Sequence, residues 1–119
     1  MGLTYVTLRL RKHEESEDSI EAQFLVDSGA AYTVAPAEIL RNLGIRPRET
    51  RSFILANGEK ISRQVGNAYL ELGENAGYSK VIFGEEGDSN LLGVVTLEAL
   101  GLIFDPIKRE LKPLPMLLM

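Results

Sequence analysis

Short segments of the chain alternate between hydrophobic and polar residues, which is the pattern of β-strands that bury one face. The first segment, Thr4 to Leu10, is also rich in β-branched and aromatic side chains. Unbroken apolar runs at Phe24-Leu25-Val26 and Leu91-Leu92 predict strand ends that are buried on both faces. Strands are predicted over residues 4–10, 19–26, 32–34, 51–55, 59–72, 78–83, 102–104 and 109–114.

Two short helices are predicted between these strands. Pro36 opens the first, because proline is favoured in the first helical turn, and Gly44 stands where a C-terminal cap belongs. The second runs from Val95 to Leu100 and is closed by Gly101. Many short strands with two short helices favour an all-β, small closed barrel-like fold over alternating strand and helix units.

One sequence pattern occurs twice. An apolar run, a short helix, a glycine and an apolar continuation end first in Leu43-Gly44-Ile45 and later in Leu100-Gly101-Leu102. This similarity is a hint that the fold contains two related halves.

Glycines and polar residues mark the predicted turns. Asn57-Gly58 is the strongest short-range hairpin signal in the chain and predicts a type I′ turn. Gly66, inside a long strand, predicts a bulge. Gly73 to Gly77 is predicted to be a turn, and the acidic run from Glu14 to Asp18 a solvated loop.

Composition narrows the class of protein. The 119 residues fit a single domain over 1–119, with 45% hydrophobic residues to form one core. The net charge of −4 argues against nucleic-acid and anionic-membrane partners, which need clustered Lys and Arg. No apolar stretch approaches the roughly 20 residues of a membrane span, and no signal peptide is recognisable. A cytoplasmic protein is the resulting expectation.

The sequence lacks the residues that several kinds of catalytic and metal sites require. There is no cysteine, which excludes disulfides and a thiolate nucleophile. The single histidine, His13, lies in a polar run that is typical of an exposed loop. The acidic groups Glu14 to Asp18 and Glu85 to Asp88 could chelate a hard cation, but such charge runs are usually solvated loops. Neither a metal nor a cofactor is expected.

The chemistry of the chain is expected at Asp27. This carboxylate directly follows the apolar run Phe24-Leu25-Val26, where an acid is costly unless it is hydrogen-bonded or functional. Ser28 offers a hydroxyl to neighbouring backbone, and Gly29 permits a close backbone approach. Asp-Ser-Gly alone is an ordinary turn tripeptide, so the flanking sequence is what favours a catalytic role.

In combination, these segments resemble the retropepsin family of retroviral proteases and their cellular relatives. Asp27-Ser28-Gly29-Ala30 is similar to the catalytic loop, and Ala56-Asn57-Gly58-Glu59-Lys60 to the flap hairpin that covers the substrate. Leu91-Leu92-Gly93 is similar to the segment that packs beside the catalytic loop. The resemblance runs in order from about Ile20 to the C-terminus.

The resemblance implies an aspartic endopeptidase that is active as a homodimer and cleaves a peptide or protein substrate in extended conformation. Each subunit would contribute one catalytic Asp27 to a shared site, with Ser28 and Gly29 supporting the loop. Leu92 and Gly93 would be structural residues near the site. The residues expected to contact substrate are Ala30, Ala31, Ala56, Asn57, Gly58 and Glu59.

Two departures place the chain with the cellular branch. Retroviral members carry a paired Asp and Arg where this sequence has Ala31 and Val94. Both partners are missing together, so no charge is left buried alone. The apolar tail from Leu114 to Met119 is expected either to pair with its counterpart in a dimer or to be a disordered end.

Two alternatives stay open from the sequence. The same fold could serve as a non-catalytic dimerisation or peptide-binding module. The chain could also be an unrelated small barrel in which Asp27-Ser28-Gly29 and Asn57-Gly58 are ordinary turns. The presence of an acid at the end of a buried strand favours the enzyme.

Overall fold

The computed structural model describes residues 3–115, and these contain nine strands and two short helices. The first strands and helix are β1 (Tyr5–Arg11), β2 (Ile20–Val26), β3 (Thr33–Pro36) and α1 (Ala37–Asn42). They are followed by β4 (Glu49–Ile54), β5 (Lys60–Leu72), β6 (Asn75–Gly84), β7 (Leu91–Leu92), α2 (Val94–Ala99), β8 (Leu102–Asp105) and β9 (Glu110–Pro113).

Seven of the strands form one sheet in the order β1-β2-β7-β3-β6-β5-β4. An additional pairing between β1 and β5 closes six of them into a ring and leaves β4 attached to β5 alone. Strands β8 and β9 form a separate two-stranded sheet. This ring of strands confirms the all-β, barrel-like architecture predicted from the sequence. Closing the ring also leaves few free strand edges.

The core fills the inside of this ring. In β1, for example, Leu8 and Leu10 point inward and are fully buried, which follows from the two-residue period of a strand. The largest fully buried apolar side chains come from α1 and from five strands of the ring: Leu8, Leu10, Phe24, Leu40, Val65, Leu70, Val81, Phe83 and Leu92.

The fold contains two related halves. In the first, β2 leads through a loop to β3 and α1, and in the second, β6 leads through a loop to β7 and α2. The halves interlock, because β2 pairs in parallel with β7 and β3 in parallel with β6. Each helix is followed by a leucine and then a left-handed glycine, Gly44 with φ 80° and Gly101 with φ 76°. The repeated pattern in the sequence is thus a repeated structure.

The turn at Asn57-Gly58 differs from the predicted type I′. That type needs positive φ at both central residues, but only Gly58, with φ 86°, is left-handed. The Gly58 N–H donates to the Leu55 carbonyl, and the Leu55 N–H donates to the Glu59 carbonyl, at 2.9 and 2.8 Å. This is a type I turn followed by a left-handed glycine, which makes the hairpin loop one residue longer than predicted.

Gly66 is not at a bulge, because the β5–β6 register runs unbroken from Val65 to Leu72. A Cβ at Gly66 would lie 2.9 Å from the Arg46 carbonyl oxygen, so close packing explains this glycine. The predicted turn from Gly73 to Gly77 is also shorter, since β6 already begins at Asn75. Other strand and helix ends shift by one or two residues, as is usual for element boundaries.

Two further predictions concern the β1–β2 loop and the C-terminal tail. The acidic run from Glu14 to Asp18 lies in the loop between β1 and β2, whose residues are mostly exposed. Residues 116–119 of the apolar tail lie outside the described residues. Within residues 3–115, neither helix has the length or apolar character needed to cross a bilayer.

Candidate active site

Asp27 is the first residue after β2 and begins a tight loop. Its N–H donates to the Leu92 carbonyl at 3.1 Å, which ties the strand end to β7. Its carbonyl accepts from the Ala30 N–H at 3.1 Å, and its carboxylate oxygen Oδ1 accepts from the Gly29 N–H at 2.9 Å. The side chain is half-buried. One carboxylate oxygen is therefore used to shape the loop.

The charge of Asp27 has no counter-ion within residues 3–115. Every Lys or Arg that forms an ion pair there does so with another acid. A carboxylate held by one backbone donor and not by a cation keeps its second oxygen available to a ligand or to water. Ser28, next in the chain, is exposed.

Gly93 lets α2 approach the loop from behind. A Cβ there would lie 2.5 Å from the Ala31 carbonyl oxygen, so only glycine fits. The first helical N–H groups then donate into the loop: Val94 to the Ala30 carbonyl and Val95 to the Ala31 carbonyl, both at 2.9 Å. These backbone bonds brace the loop at Ala31 and Val94, two residues that cannot form an ion pair with each other.

A buried hydroxyl network lies behind the same loop. The Thr33 hydroxyl donates to the Thr96 hydroxyl at 2.6 Å and accepts from the Gly93 N–H at 3.1 Å. The Ser79 hydroxyl is 2.9 Å from that of Thr96. Thr33 and Thr96 are fully buried, so these bonds satisfy groups that would otherwise be costly. The network links β3, β6 and α2 behind the Asp27 loop.

A groove of about 500 Å³ opens in front of the loop, a size typical of ligand sites. The loop contributes Gly29, Ala30 and Ala31 to its lining, while Asp27 lies beside the lining rather than within it. Among the described residues, the charged side chains of the lining are Arg63 and Asp88. The apolar and aromatic side chains of the lining are Tyr32, Val34, Phe53, Ile54, Leu55, Ile61, Ile82 and Leu91.

The hairpin of β4 and β5 covers one side of this groove, and we call it the flap. Its tip, residues 56–59, is exposed and does not line the groove. The Asn57 side-chain oxygen accepts from the Glu59 N–H at 2.9 Å and so stabilises the turn itself. Of the residues predicted to contact substrate, Ala30 and Ala31 therefore lie at the groove, and the four at the tip do not.

Sequence reasoning missed the residues of the flap strands and loops that form the groove walls. Phe53 and Ile61 are register partners whose side chains face inward, and Arg51 and Arg63 occupy the next inward positions. A signal was present in the sequence: a strand that alternates Ile61, Arg63, Val65 places a cation in the inward phase. Such a cation requires a partner, and here the partner is Asp88.

The other candidate residues lie elsewhere. His13 is exposed, and its backbone bonds with Ser16 close a turn between β1 and β2. Among the residues that the structure describes, no group of three or more His, Cys, Asp or Glu side chains could hold a metal ion.

Both the sequence and the fold match known proteins. Residues 17–99, more than half of the chain, match the family model described as "gag-polyprotein putative aspartyl protease". A retropepsin-like aspartic protease from Rickettsia conorii is structurally similar, with a TM-score of 0.50 and 22% identity over 87% of this chain and 85% of that one. No curated protein matches the sequence. The retropepsin resemblance is confirmed, and the chain belongs to the gag-polyprotein aspartyl protease family, with a retropepsin-like fold.

Proposed function

We propose that this protein is an aspartic endopeptidase that works as a homodimer, with one catalytic Asp27 from each subunit. The observation that carries the proposal is the Asp27 carboxylate itself. It stands at the edge of an apolar groove, braced through its backbone, with one oxygen held by the Gly29 N–H and with no cation paired to it within residues 3–115. A carboxylate that is held in position but not paired with a cation is available for chemistry.

A second copy is needed because, among the described residues, one chain supplies only one such acid. General acid–base hydrolysis by carboxyl groups uses a pair, one to activate water and one to protonate the substrate carbonyl. Among the described residues, the acid in the groove lining is Asp88, and both of its oxygens are bound to Arg63 at 2.8 and 3.1 Å. A two-fold axis beside the Asp27 loop would bring the missing carboxylate.

In such a pair, two carboxyl groups about 3 Å apart hold one proton between them, because both cannot be ionised at that distance. The ionised member takes a proton from a water, which attacks the peptide carbonyl carbon. The protonated member gives its proton to the carbonyl oxygen, which forms a tetrahedral diol. The carboxyl group that took the proton from water then gives it to the peptide nitrogen while the other carboxylate takes one from the diol, and collapse releases the amine and the acid product and restores the shared proton. No covalent intermediate forms on the protein.

The groove favours an extended peptide with a large apolar side chain beside the bond that is cut. Phe53, Ile61 and Leu91 supply apolar surface from the flap and from β7. The exposed flap tip offers backbone groups to an incoming strand once the hairpin closes over it. Affinity would come from this strand pairing, and selectivity from the side-chain pocket.

The first experiment is cleavage of a peptide library by the wild type, Asp27→Asn and Asp18→Asn. The last is a matched control, since Asp18 is an exposed acid in the β1–β2 loop. Cleavage by the wild type and the control, with loss in Asp27→Asn, supports the proposal. Cleavage retained by Asp27→Asn would exclude it.

A mixing experiment tests the shared site. Wild type and Asp27→Asn are refolded together in equal amounts, so that subunits pair at random. If each site needs both carboxylates, activity falls to about a quarter of that of an all-wild-type sample of the same total concentration, because only a quarter of the dimers carry two. A fall to one half would show that each chain works alone, and would contradict the dimeric site.

Binding of a statine peptide, which mimics the transition state, separates the enzyme from a binding module. The enzyme should bind it and lose activity. A protein that binds the peptide yet never cleaves any substrate would instead be the non-catalytic module on the same fold.

A further inference from the structure

Two arginines face each other on the inner side of the flap. Arg51 of β4 and Arg63 of β5 are direct register partners, and both belong to the inward phase of their strands. Like charges opposite each other in an antiparallel pair are destabilising. Each arginine must therefore be held by a group outside this pairing, and each one is.

Arg63 is held by the loop between β6 and β7. Its Nε and Nη2 donate to the two oxygens of Asp88 at 2.8 and 3.1 Å, a bidentate geometry. The two side chains are only 15% and 26% exposed. Asp88 Oδ2 also accepts from the Glu85 N–H at 2.8 Å, so the carboxylate organises its own turn as well.

Arg51 is held at the other loop. Its Nη1 donates to the Tyr32 hydroxyl at 2.5 Å, and its guanidinium carbon lies 5.5 Å from the centre of the Tyr32 ring. Its Nε donates to Glu49 of the same strand at 2.7 Å. Phe53, two residues on, packs edge-on against the Tyr32 ring. Tyr32 is the last residue of the Asp27 loop before β3, so this contact connects the flap to the candidate site.

Building on the proposed function, we infer that Arg51 and Arg63 are positioning residues, which fix the base of the flap to the two loops that form the groove walls. Through these two arginines, β4 is attached to Tyr32 and β5 to Asp88. The hydrogen bonds of both arginines go to groups other than the Asp27 carboxylate. Their role is to set the height of the flap over the groove, and therefore the affinity for an extended substrate.

Two further observations agree with this role. The hydrogen bond from Arg63 lowers the pKa of Asp88, so this pair is formed between charged groups at neutral pH. Glu85, whose carboxylate lies 3.5 Å from Arg63, adds a second negative charge. Removing the charge of Asp88 therefore leaves Arg63 facing Arg51 with a much weaker counter-charge.

The test is steady-state kinetics on Arg63→Gln, Asp88→Asn and their double variant. The amide oxygen that Asp88→Asn introduces can still accept the Glu85 N–H, so this substitution removes the ion pair rather than the turn. We expect KM to rise roughly tenfold in Asp88→Asn, as for loss of a charge-assisted hydrogen bond, with kcat within about twofold. The double variant should have a lower KM than Asp88→Asn, because it relieves the repulsion from Arg51.

Glu71→Gln is the matched control. It breaks the Arg11–Glu71 pair between β1 and β5, which has a similar distance of 2.8 Å and similar exposures of 19% and 29%, but lies away from the groove. A general loss of stability would affect both pairs alike. Unchanged KM in Asp88→Asn, or an equal rise in Glu71→Gln, would overturn the inference.

Hydrogen exchange separates this inference from the proposed function, since it needs no turnover. Asp88→Asn should speed amide exchange in residues 60–64 and 85–90, and Glu71→Gln should not. If the wild type neither cleaves peptides nor binds statine, the proposed function fails, and exchange still tests whether the flap base is attached through Asp88. Equal exchange in Asp88→Asn and wild type would show that the flap base is not held by this pair.

Discussion

Two loops occupy equivalent places in the two halves of the fold, but their carboxylates have opposite environments, one paired with a cation and the other not. Residues 27–32 connect β2 to β3, and residues 85–90 connect β6 to β7, each six residues long. Both begin with an acid, any residue and a glycine. In both, the fourth N–H donates to the first carbonyl, Ala30 to Asp27 at 3.1 Å and Asp88 to Glu85 at 2.9 Å.

The difference lies in what neutralises the carboxylates. In the second loop, Asp88 is bound by Arg63 and by a backbone N–H, and Glu85 extends into solvent with a side chain 62% exposed. In the first loop, the Asp27 carboxylate accepts only the Gly29 N–H among the described residues. The same turn thus serves structure in one half and leaves an acid free for chemistry in the other. The environment of a carboxylate, rather than the turn that carries it, decides its role.

The strongest test of this difference is to neutralise each acid in turn. Asp27→Asn should reduce kcat/KM by at least about 100-fold, the usual contribution of a general acid–base group, with unchanged stability. Asp88→Asn should keep kcat and lower the free energy of unfolding. The measurements are peptide cleavage and urea denaturation. Equal effects of the two substitutions on kcat would erase the distinction between the loops.

The glycine that lets α2 approach the first loop gives the largest expected effect on stability. A Cβ at Gly93 would meet the Ala31 and Tyr32 backbone at 2.5 to 2.7 Å, and backbone cannot move aside as a side chain can. Gly93→Ala should cost about 1–3 kcal/mol or more in urea denaturation. A Gly93→Ala variant as stable as the wild type would show that the loop is not braced as described.

The part of the fold and of the candidate site that could be predicted from the sequence is the local part. Asp27 at the end of an apolar run, and Gly44 and Gly101 after short helices, are signals within a few residues of each other. The closure of the ring by β1 and β5, and the pairing of Arg63 with Asp88, join residues far apart in the chain. Such contacts follow from how the sheet closes, which no short pattern encodes.

The type of the flap turn could not be predicted either, for a different reason. Asn57-Gly58 is compatible both with a two-residue type I′ loop and with a longer loop that ends in a left-handed glycine. The register of β4 against β5, from Glu49 opposite Val65 to Ile54 opposite Lys60, selects the longer loop. Packing of the inward arginines and apolar residues decides between turns that the local sequence allows.

The glycines of the two loops should differ in what their substitution affects. Gly87 has φ 92° and open space around its Cα, so Gly87→Ala should cost about 1 kcal/mol through backbone strain alone. At Gly29 a Cβ would lie 3.2 Å from Asp27 Oδ1, so Gly29→Ala should disturb the acid and lower kcat more than stability. Kinetics and denaturation of both variants check this. A loss of kcat in Gly87→Ala, with a loss of stability alone in Gly29→Ala, would contradict it.

The smallest expected effect is the pH dependence of the Asp88 pair. The pKa of Asp88 lies below the ordinary value of 3.8, mainly because Arg63 donates a hydrogen bond to the carboxylate. A carboxyl group whose pKa is lowered by folding stabilises the folded protein at pH values above its unfolded-state pKa. That contribution disappears as the pH falls through its folded-state pKa. The stability difference between wild type and Asp88→Asn should be constant above about pH 5 and shrink below 3.8.

The magnitude should be a few tenths to about 1 kcal/mol, as for a partly screened ion pair. Arg63 is the charged group that pairs with Asp88, and the Glu85 carboxylate adds a second ion pair to Arg63. Repeating the measurement in a Glu85→Gln background removes that contribution. A difference that persists unchanged down to about pH 2.5 would mean that Asp88 stabilises its loop as a hydrogen-bond acceptor rather than as a charge, and the contrast with Asp27 would then rest on geometry alone.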